Sequence, residues 1–282
     1  MDFKQQVCIN NMTYRRYSFE YFLQSAQRLG IKNIELSGCH PHYTVYESEE
    51  FDVNALAKKI KEAGLRVLSI EPEQNFLPVN IASHNPYLRE ESIRQMQFYI
   101  QNAAAFDCNQ VIIYPGKGIM DRPLEEARKY CCDSLYKLEK TAEKCGVKIL
   151  LQNVSHCISG LTPNCKAVAE IVNTVGGKNL GVSVNTCAVC AGKETLKDYF
   201  DCFGEKIGMV QVADSDDEDE QLVLGEGNQD LKAHVDTLTA CKYDGPLALE
   251  IIMEEYADDA EKYYAESIKV FRQVLDGGSK YE

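Results

Sequence analysis

The stretch Gly208-Met-Val-Gln-Val-Ala-Asp-Ser-Asp-Asp-Glu-Asp-Glu-Gln-Leu-Val-Leu-Gly-Glu-Gly-Asn228 joins a short apolar run, a polar tip and a Gly-Glu-Gly turn. Val210, Val212 and their apolar neighbours suit a strand buried on both faces, as strands of parallel sheets are. Gln211 and Asp214 are then the first polar groups presented where that strand ends, the place where barrels put their chemistry. The run from Asp214 to Glu220 holds five Asp or Glu beyond Asp214 and reads as a solvated loop rather than a calcium site. Glu226, between two glycines, reads as a group that structures a tight turn by accepting its amides.

Outward from this stretch the same unit recurs. A helical pattern ends near Gly, and a short apolar β-type run follows, at Leu29-Gly30 before Ile34 to Leu36, Ala63-Gly64 before Val67 to Ile70, and Cys145-Gly146 before Ile149 to Leu151. Further copies are Gly176-Gly177 before Leu180 to Val184, Phe203-Gly204 before Ile207 to Val212, and Asp244-Gly245 before Leu247 to Glu250. Glycine there lets a helix stop in a left-handed conformation, after which a strand begins. With Val7 to Asn10 and Gln110 to Tyr114 the strands number eight, alternating with helical patterns near 18–29, 52–63, 87–105, 123–145, 163–174, 194–203, 229–240 and 257–275. Ser18, Pro123 followed by Glu125 and Glu126, and Pro163 after Thr162 are helix-start signals. Even alternation predicts an α/β chain forming one (β/α)₈ barrel of parallel strands over residues 1–276, with 277–282 as a C-terminal tail, because a doubly wound sheet rarely repeats so evenly.

Composition narrows the function. Among 282 residues, 43 acids against 30 bases give a formal charge of −13, which repels a polyanion and excludes nucleic acid as a partner. No run approaches the roughly 20 apolar residues of a membrane span. Twelve cysteines scattered through helices and strands, without an apolar leader, read as reduced thiols of a cytoplasmic protein. Cys187-Ala-Val-Cys190 lacks the second pair that a structural zinc site wants.

In a barrel the strand ends form one constellation, here Asn10, Glu35, Glu71, Tyr114, Gln152, Asn185, Gln211 and Glu250. Around them, Asn10-Asn-Met-Thr13 with Ser18-Phe-Glu20, Ile34-Glu-Leu36, Ile112-Ile-Tyr-Pro-Gly116, Leu150-Leu-Gln-Asn153, Gly181-Val-Ser-Val-Asn185, Val210-Gln-Val-Ala-Asp214, Leu224-Gly-Glu-Gly-Asn228 and Leu247-Ala-Leu-Glu250 stand in order. Together these segments resemble the xylose-isomerase-like superfamily of sugar isomerases and epimerases, over nearly the whole chain.

The resemblance implies a divalent ion held by Glu, Asp, His and Glu at the ends of strands five to eight, and proton transfer through an enediolate between the carboxylates of strands five and eight. By position these ligands are Gln152, Asn185, Gln211 and Glu250, and Ala188 stands where an accessory His is common. A hard cation held by one carboxylate and neutral amides lacks charge compensation, so a metal cofactor is not expected beyond weak binding of Mn, Mg or Zn. An amide is not a general base near neutral pH, which leaves Glu250 as the catalytic residue. The amides suit a sugar's hydroxyls, and Gln152, Asn185 and Gln211, with His156, Tyr114 and Glu71, are the expected substrate-binding groups. His40 and His42 are candidates for the pocket wall, and Glu71 or Glu73 for a replacement base.

Three readings follow, with a small-molecule carbohydrate as partner in the first two. One is an isomerase or epimerase acting on a ketose, cyclitol or related sugar without the usual metal. Another is a non-catalytic sugar-binding or regulatory barrel derived from such enzymes. An abasic-site endonuclease of the same fold is disfavoured by five histidines and the negative charge. The oligomeric state is not legible in the sequence.

Overall fold

The computed structural model describes residues 3–44, 52–74 and 78–277; of the expected tail, 278–282 lie outside the described residues. Eight parallel strands close into a barrel: β1 (Val7–Asn10), β2 (Asn33–Gly38), β3 (Arg66–Pro72), β4 (Gln110–Ile113), β5 (Lys148–Gln152), β6 (Leu180–Asn185), β7 (Ile207–Val212) and β8 (Leu247–Leu249). Each pairs with its neighbour in sequence, and β1 closes on β8 with Val7 opposite Leu247. This is the single (β/α)₈ barrel that the repeat predicts.

Several helix signals act as expected. Ser18 accepts from the Tyr21 amide at the start of Phe19–Arg28, and Gly30, Gly64 and Gly146 take left-handed φ values of 71°, 70° and 68° just past their helices. The helix between β5 and β6 starts later than expected, since Asn164 rather than Thr162 caps Cys165–Val175. In the last unit the left-handed residue is Lys242, with φ 53°, and not Gly245. Three elements went unanticipated: Phe3–Gln6, the short helix Thr186–Ala191 directly after β6, and a two-stranded hairpin of Asp214–Ser215 with Glu220–Leu222. The hairpin's tip carries Asp216 to Asp219 exposed, as the solvated-loop reading expects.

The barrel interior is layered by the two-residue period of its strands. Cys8, Ile112, Leu150, Met209 and Ala248 form one buried apolar cluster inside. Two residues further along each of those strands stand Asn10, Tyr114, Gln152, Gln211 and Glu250, so the next layer toward the strands' carboxyl ends is polar. The larger apolar core lies outside the barrel, between strands and helices, and includes Ile9, Ile34, Val111, Leu151 and Val210. A backbone bond from the Glu250 amide to the Val212 carbonyl (3.1 Å) prolongs the β8 ladder by one residue and fixes Glu250 in that layer. All twelve cysteines are free thiols, and among the described residues no helix is long and apolar enough to cross a membrane.

Candidate active site

Strand register brings the polar layer together. Asn10 pairs with Glu35, Ser37 with Glu71, Gln152 with Ser183 and Asn185 with Gln211. Gln211 is the hub. Its Nε2 donates to Glu35 Oε1 (3.1 Å) and Glu71 Oε1 (3.3 Å), while its Oε1 accepts from Gln152 Nε2 (2.6 Å) and Asn185 Nδ2 (3.3 Å). Asn185 Nδ2 also donates to Glu250 Oε2, which ties the third carboxylate to the same network. Asn10 Nδ2 bridges Glu35 and Glu71 at 3.0 and 3.2 Å, Ser69 donates to Glu35 at 2.8 Å, and the Tyr114 hydroxyl donates to Glu71 at 2.9 Å.

Three carboxyls thus share one buried layer, with Glu35 at 0 %, Glu250 at 1 % and Glu71 at 6 % exposure. Among the described residues none of them forms an ion pair. Burial without a counter-cation disfavours the charged form, and nearby carboxylates add to the effect. Burial and then repulsion from Glu35 raise Glu71 to about 8, despite the hydrogen bonds from Tyr114 and Gln211. Burial raises Glu35 too, against the bonds from Asn10, Ser69 and Gln211. Glu250 is pushed well above the usual carboxylate range by burial, then by Glu71 and Glu35. Each of the three is therefore biased toward its protonated form, and carboxyls set side by side in one cavity are the type of group that can divide general acid and base work between them. Glu71 and Glu250 both line a recess with Met12, Glu73, Gln74 and Tyr114 at the carboxyl end of the barrel.

The four positions that correspond to metal ligands do converge, but their donor atoms are committed elsewhere. Gln211 Oε1 takes two amide donors, and Asn185 Oδ1 caps Thr186–Ala191 by accepting from the Cys187 and Ala188 amides. Gln152 Oε1 is buried without a hydrogen-bond partner, so Glu250 and one neutral oxygen remain. Hard divalent cations take six or more oxygens, several of them anionic in the tighter sites, and transition metals favour imidazole or thiolate. The residues present do not fit the ion. Among the described residues no three His, Cys, Asp or Glu side chains are placed to hold a metal.

Other residues singled out in the sequence fall outside this network. His156 is exposed on the loop after β5, and no hydrogen bond links it to the strand-end groups. His40 is exposed, while His42 is a buried structural residue whose Nε2 donates to the Tyr17 carbonyl (2.8 Å) and whose Nδ1 accepts from Asn11 (3.2 Å). Asp214, expected among the groups presented to the pocket, instead holds the Gly-Glu-Gly turn. Its carboxylate accepts from the Gly225 amide at 2.9 Å and the Gln229 amide at 3.0 Å. Glu226, expected to take that role, is exposed and accepts from the Tyr256 hydroxyl. Cys187 is buried against the Asp214 carbonyl (3.3 Å), where burial raises its thiol well above the ordinary value, opposite to a reactive thiolate. Glu35 is the residue whose weight was missed. Its signal was a lone carboxylate between Ile34 and Leu36 in a strand buried on both faces.

Comparison with known proteins agrees with the barrel fold. The chain is 22% identical to fructoselysine 3-epimerase of Shigella flexneri over 263 residues, covering 93% of this chain and 95% of the relative. D-allulose 3-epimerase from Methylomonas sp. in complex with D-allulose superposes with a TM-score of 0.78 at 16% identity, over 96% of this chain and 97% of that one. The IOLI protein with a bound zinc atom superposes with a TM-score of 0.79 at 20% identity, over 96% and 98%. The family model described as xylose isomerase-like TIM barrel matches residues 23–274, and the chain belongs to that family.

Proposed function

We propose that this protein is a carbohydrate isomerase or epimerase that moves a proton next to a carbonyl with the carboxyls of Glu71 and Glu250, and needs no divalent metal. The observation that carries the reading is the pair of buried carboxyls on one recess, both with raised proton affinity and neither neutralised by a cation. The relatives named as epimerases place carbohydrate chemistry in the family, and the amides around the recess suit hydroxyl groups.

One carboxylate takes the proton from the carbon beside the carbonyl. The C–H electron pair moves into a carbon–carbon double bond, and the carbonyl oxygen becomes an enediolate oxygen. Tyr114 O–H, bonded to Glu71, and the Gln152 amide, bonded to Gln211 and Tyr114, meet that charge by exchanging those partners for the oxygen. The other carboxyl, protonated, returns a proton to the opposite face of the carbon and gives the epimer; returned instead to the former carbonyl carbon, with the adjacent hydroxyl's proton passing to the former carbonyl oxygen, it gives the isomer. Substrate, not metal, occupies the buried acceptor Gln152 Oε1, which a sugar hydroxyl satisfies by donation.

Incubation with a panel of ketoses and ketocyclitols in D₂O, after treatment with EDTA, tests the proposal by NMR. Deuterium should enter the carbon next to the carbonyl of at least one sugar, and Glu250→Gln should slow it by about 10²-fold or more. Exchange that appears only after manganese or zinc is added, or that is as fast in Glu250→Gln as in the wild type, overturns the mechanism. The hydrogen bonds that Gln152 and Asn185 both make to Gln211 favour a second reading, a barrel that binds sugars without turnover. Saturable binding of a sugar with no exchange in any member of the panel selects it.

A further inference from the structure

The rim of the barrel beside the recess carries charge of the opposite sign. Loops after β3 and β4 enclose a cavity of about 190 Å³ whose wall includes Asn80, His84, Lys117, Arg122, Glu126 and Tyr130. Lys117 also lines the neighbouring depression with Gln74 and Tyr114, so the cavity adjoins that depression, whose Tyr114 contacts Glu71. Lys117, Arg122 and His84 are exposed, in a chain whose formal charge is −13. Among the described residues neither Lys117 nor His84 is paired with a carboxylate, and Arg122 approaches Glu126 only at 3.7 Å.

The loop is built rather than incidental. Asn80 Oδ1 accepts from the Lys117 amide (2.9 Å) and its Nδ2 donates to the Lys117 carbonyl (2.9 Å), clamping that residue from both sides. Gly116 has φ 79°, and a Cβ there would stand 2.4 Å from Asn80 Oδ1 and 2.7 Å from the Ala82 backbone nitrogen, so only glycine allows the approach. Ser159 fixes the Gly116 carbonyl from the β5 side at 2.6 Å. Lys117, one of the residues of the cavity wall, is thereby held through its backbone.

We infer that this cavity is an anion subsite, and that the carbohydrate handled at Glu71 and Glu250 carries a phosphate monoester or a carboxylate at the end remote from its reacting carbons. The inference rests on the proposed carbohydrate chemistry of the same mouth. Glu71, Glu73 and Glu250 line the recess with no basic side chain among the described residues of its wall, so an anionic substituent finds no counter-charge there and finds one at the cationic rim. Lys supplies a point charge and Arg a planar fork, both suited to phosphate or carboxylate oxygens.

Equilibrium binding to the full chain tests this without any turnover, so its failure is separable from failure of the catalytic reading. D-fructose is compared with D-fructose 6-phosphate for the phosphate arm and with 5-keto-D-gluconate for the carboxylate arm. The wild-type protein should bind one of the two anionic sugars at least about tenfold more tightly than D-fructose, with a preference that shrinks as salt is raised. The arm that shows it names the group. Lys117→Ala/Arg122→Ala should remove the preference while its melting temperature stays that of the wild type, since both side chains are exposed. A wild-type protein that binds all three sugars alike, or a folded double variant that keeps the preference, overturns the subsite.

Discussion

Gln152 and Gln211 meet side chain to side chain, with Nε2 of the first 2.6 Å from Oε1 of the second, at two of the positions where the resemblance implies a carboxylate and an imidazole holding a metal. The bond has a structural consequence. By spending its oxygen on Gln152 and Asn185, Gln211 is left to offer its Nε2 hydrogens to Glu35 and Glu71. An amide thus bridges the two carboxyls without bringing a cation's charge, and their burial favours the protonated forms.

Catalysis should depend on both recess carboxyls. Glu71→Gln and Glu250→Gln each keep shape and remove a titrating group, and general acid or base contributions are about 10²- to 10⁴-fold. Solvent-exchange rates should fall by about that factor in each, and the double variant should be little worse than the worse single one, as groups acting as a unit are not additive. A tenfold or smaller loss in both single variants removes them from the mechanism.

Stability should fall as pH rises from mildly acidic to mildly alkaline. Glu71 titrates near 8 in the folded state against an ordinary value of 4.5, so the folded protein binds more protons than the unfolded chain between those values. Its contribution is fully present below about pH 4.5 and is lost as pH passes through about 8; Glu35 and Glu250, raised as well, act with the same sign. Melting temperature measured from pH 5 to 8.5 should decline. Glu71→Gln should flatten the curve and melt several degrees higher than the wild type at pH 8, because it removes a buried charge that has no cation. A wild-type curve that rises across this window contradicts the raised proton affinities.

Metal should neither copurify nor stabilise. Protein prepared without added metal should carry less than about one-tenth equivalent of manganese, zinc or cobalt, given how the four donor positions are committed. Gln152→Glu, Asn185→Asp and Gln211→His together restore two acids and an imidazole beside Glu250. That variant should show a melting temperature that rises with manganese concentration, by mass action on the folded state. Near-stoichiometric metal in the original protein, or a triple variant indifferent to manganese, shows that the matching of positions is wrong.

Asp214 should matter for folding and not for chemistry. Its loss in Asp214→Ala leaves the Gly225 and Gln229 amides without their acceptor, at about 1–3 kcal/mol for each buried group. Gly227→Ala attacks the same turn sterically, since a Cβ would lie 2.4 Å from the Ser215 carbonyl oxygen and 2.5 Å from Asp214 Oδ1. Both variants should lower the midpoint of urea unfolding. Wild-type stability in Asp214→Ala would return that residue to the list of pocket groups.

The barrel was legible in the sequence because its causes are local. Glycine after a helix, a β-branched run and a capped helix start recur at even spacing, and each is set by backbone sterics and by burial on both strand faces. The strand-end residues were legible for the same reason, since a two-residue period fixes which side chains enter the barrel. What only the tertiary structure decided is which polar groups meet. Nothing in the order of residues says that Asn185 caps its own helix with one atom and holds Glu250 with another, or that Asp214 turns away from the mouth to secure Gly225. The proton affinities of Glu35, Glu71 and Glu250 belong to the same class. Each is an ordinary carboxylate in the chain, and only the closing of eight strands around all three removes the water that would have kept them charged.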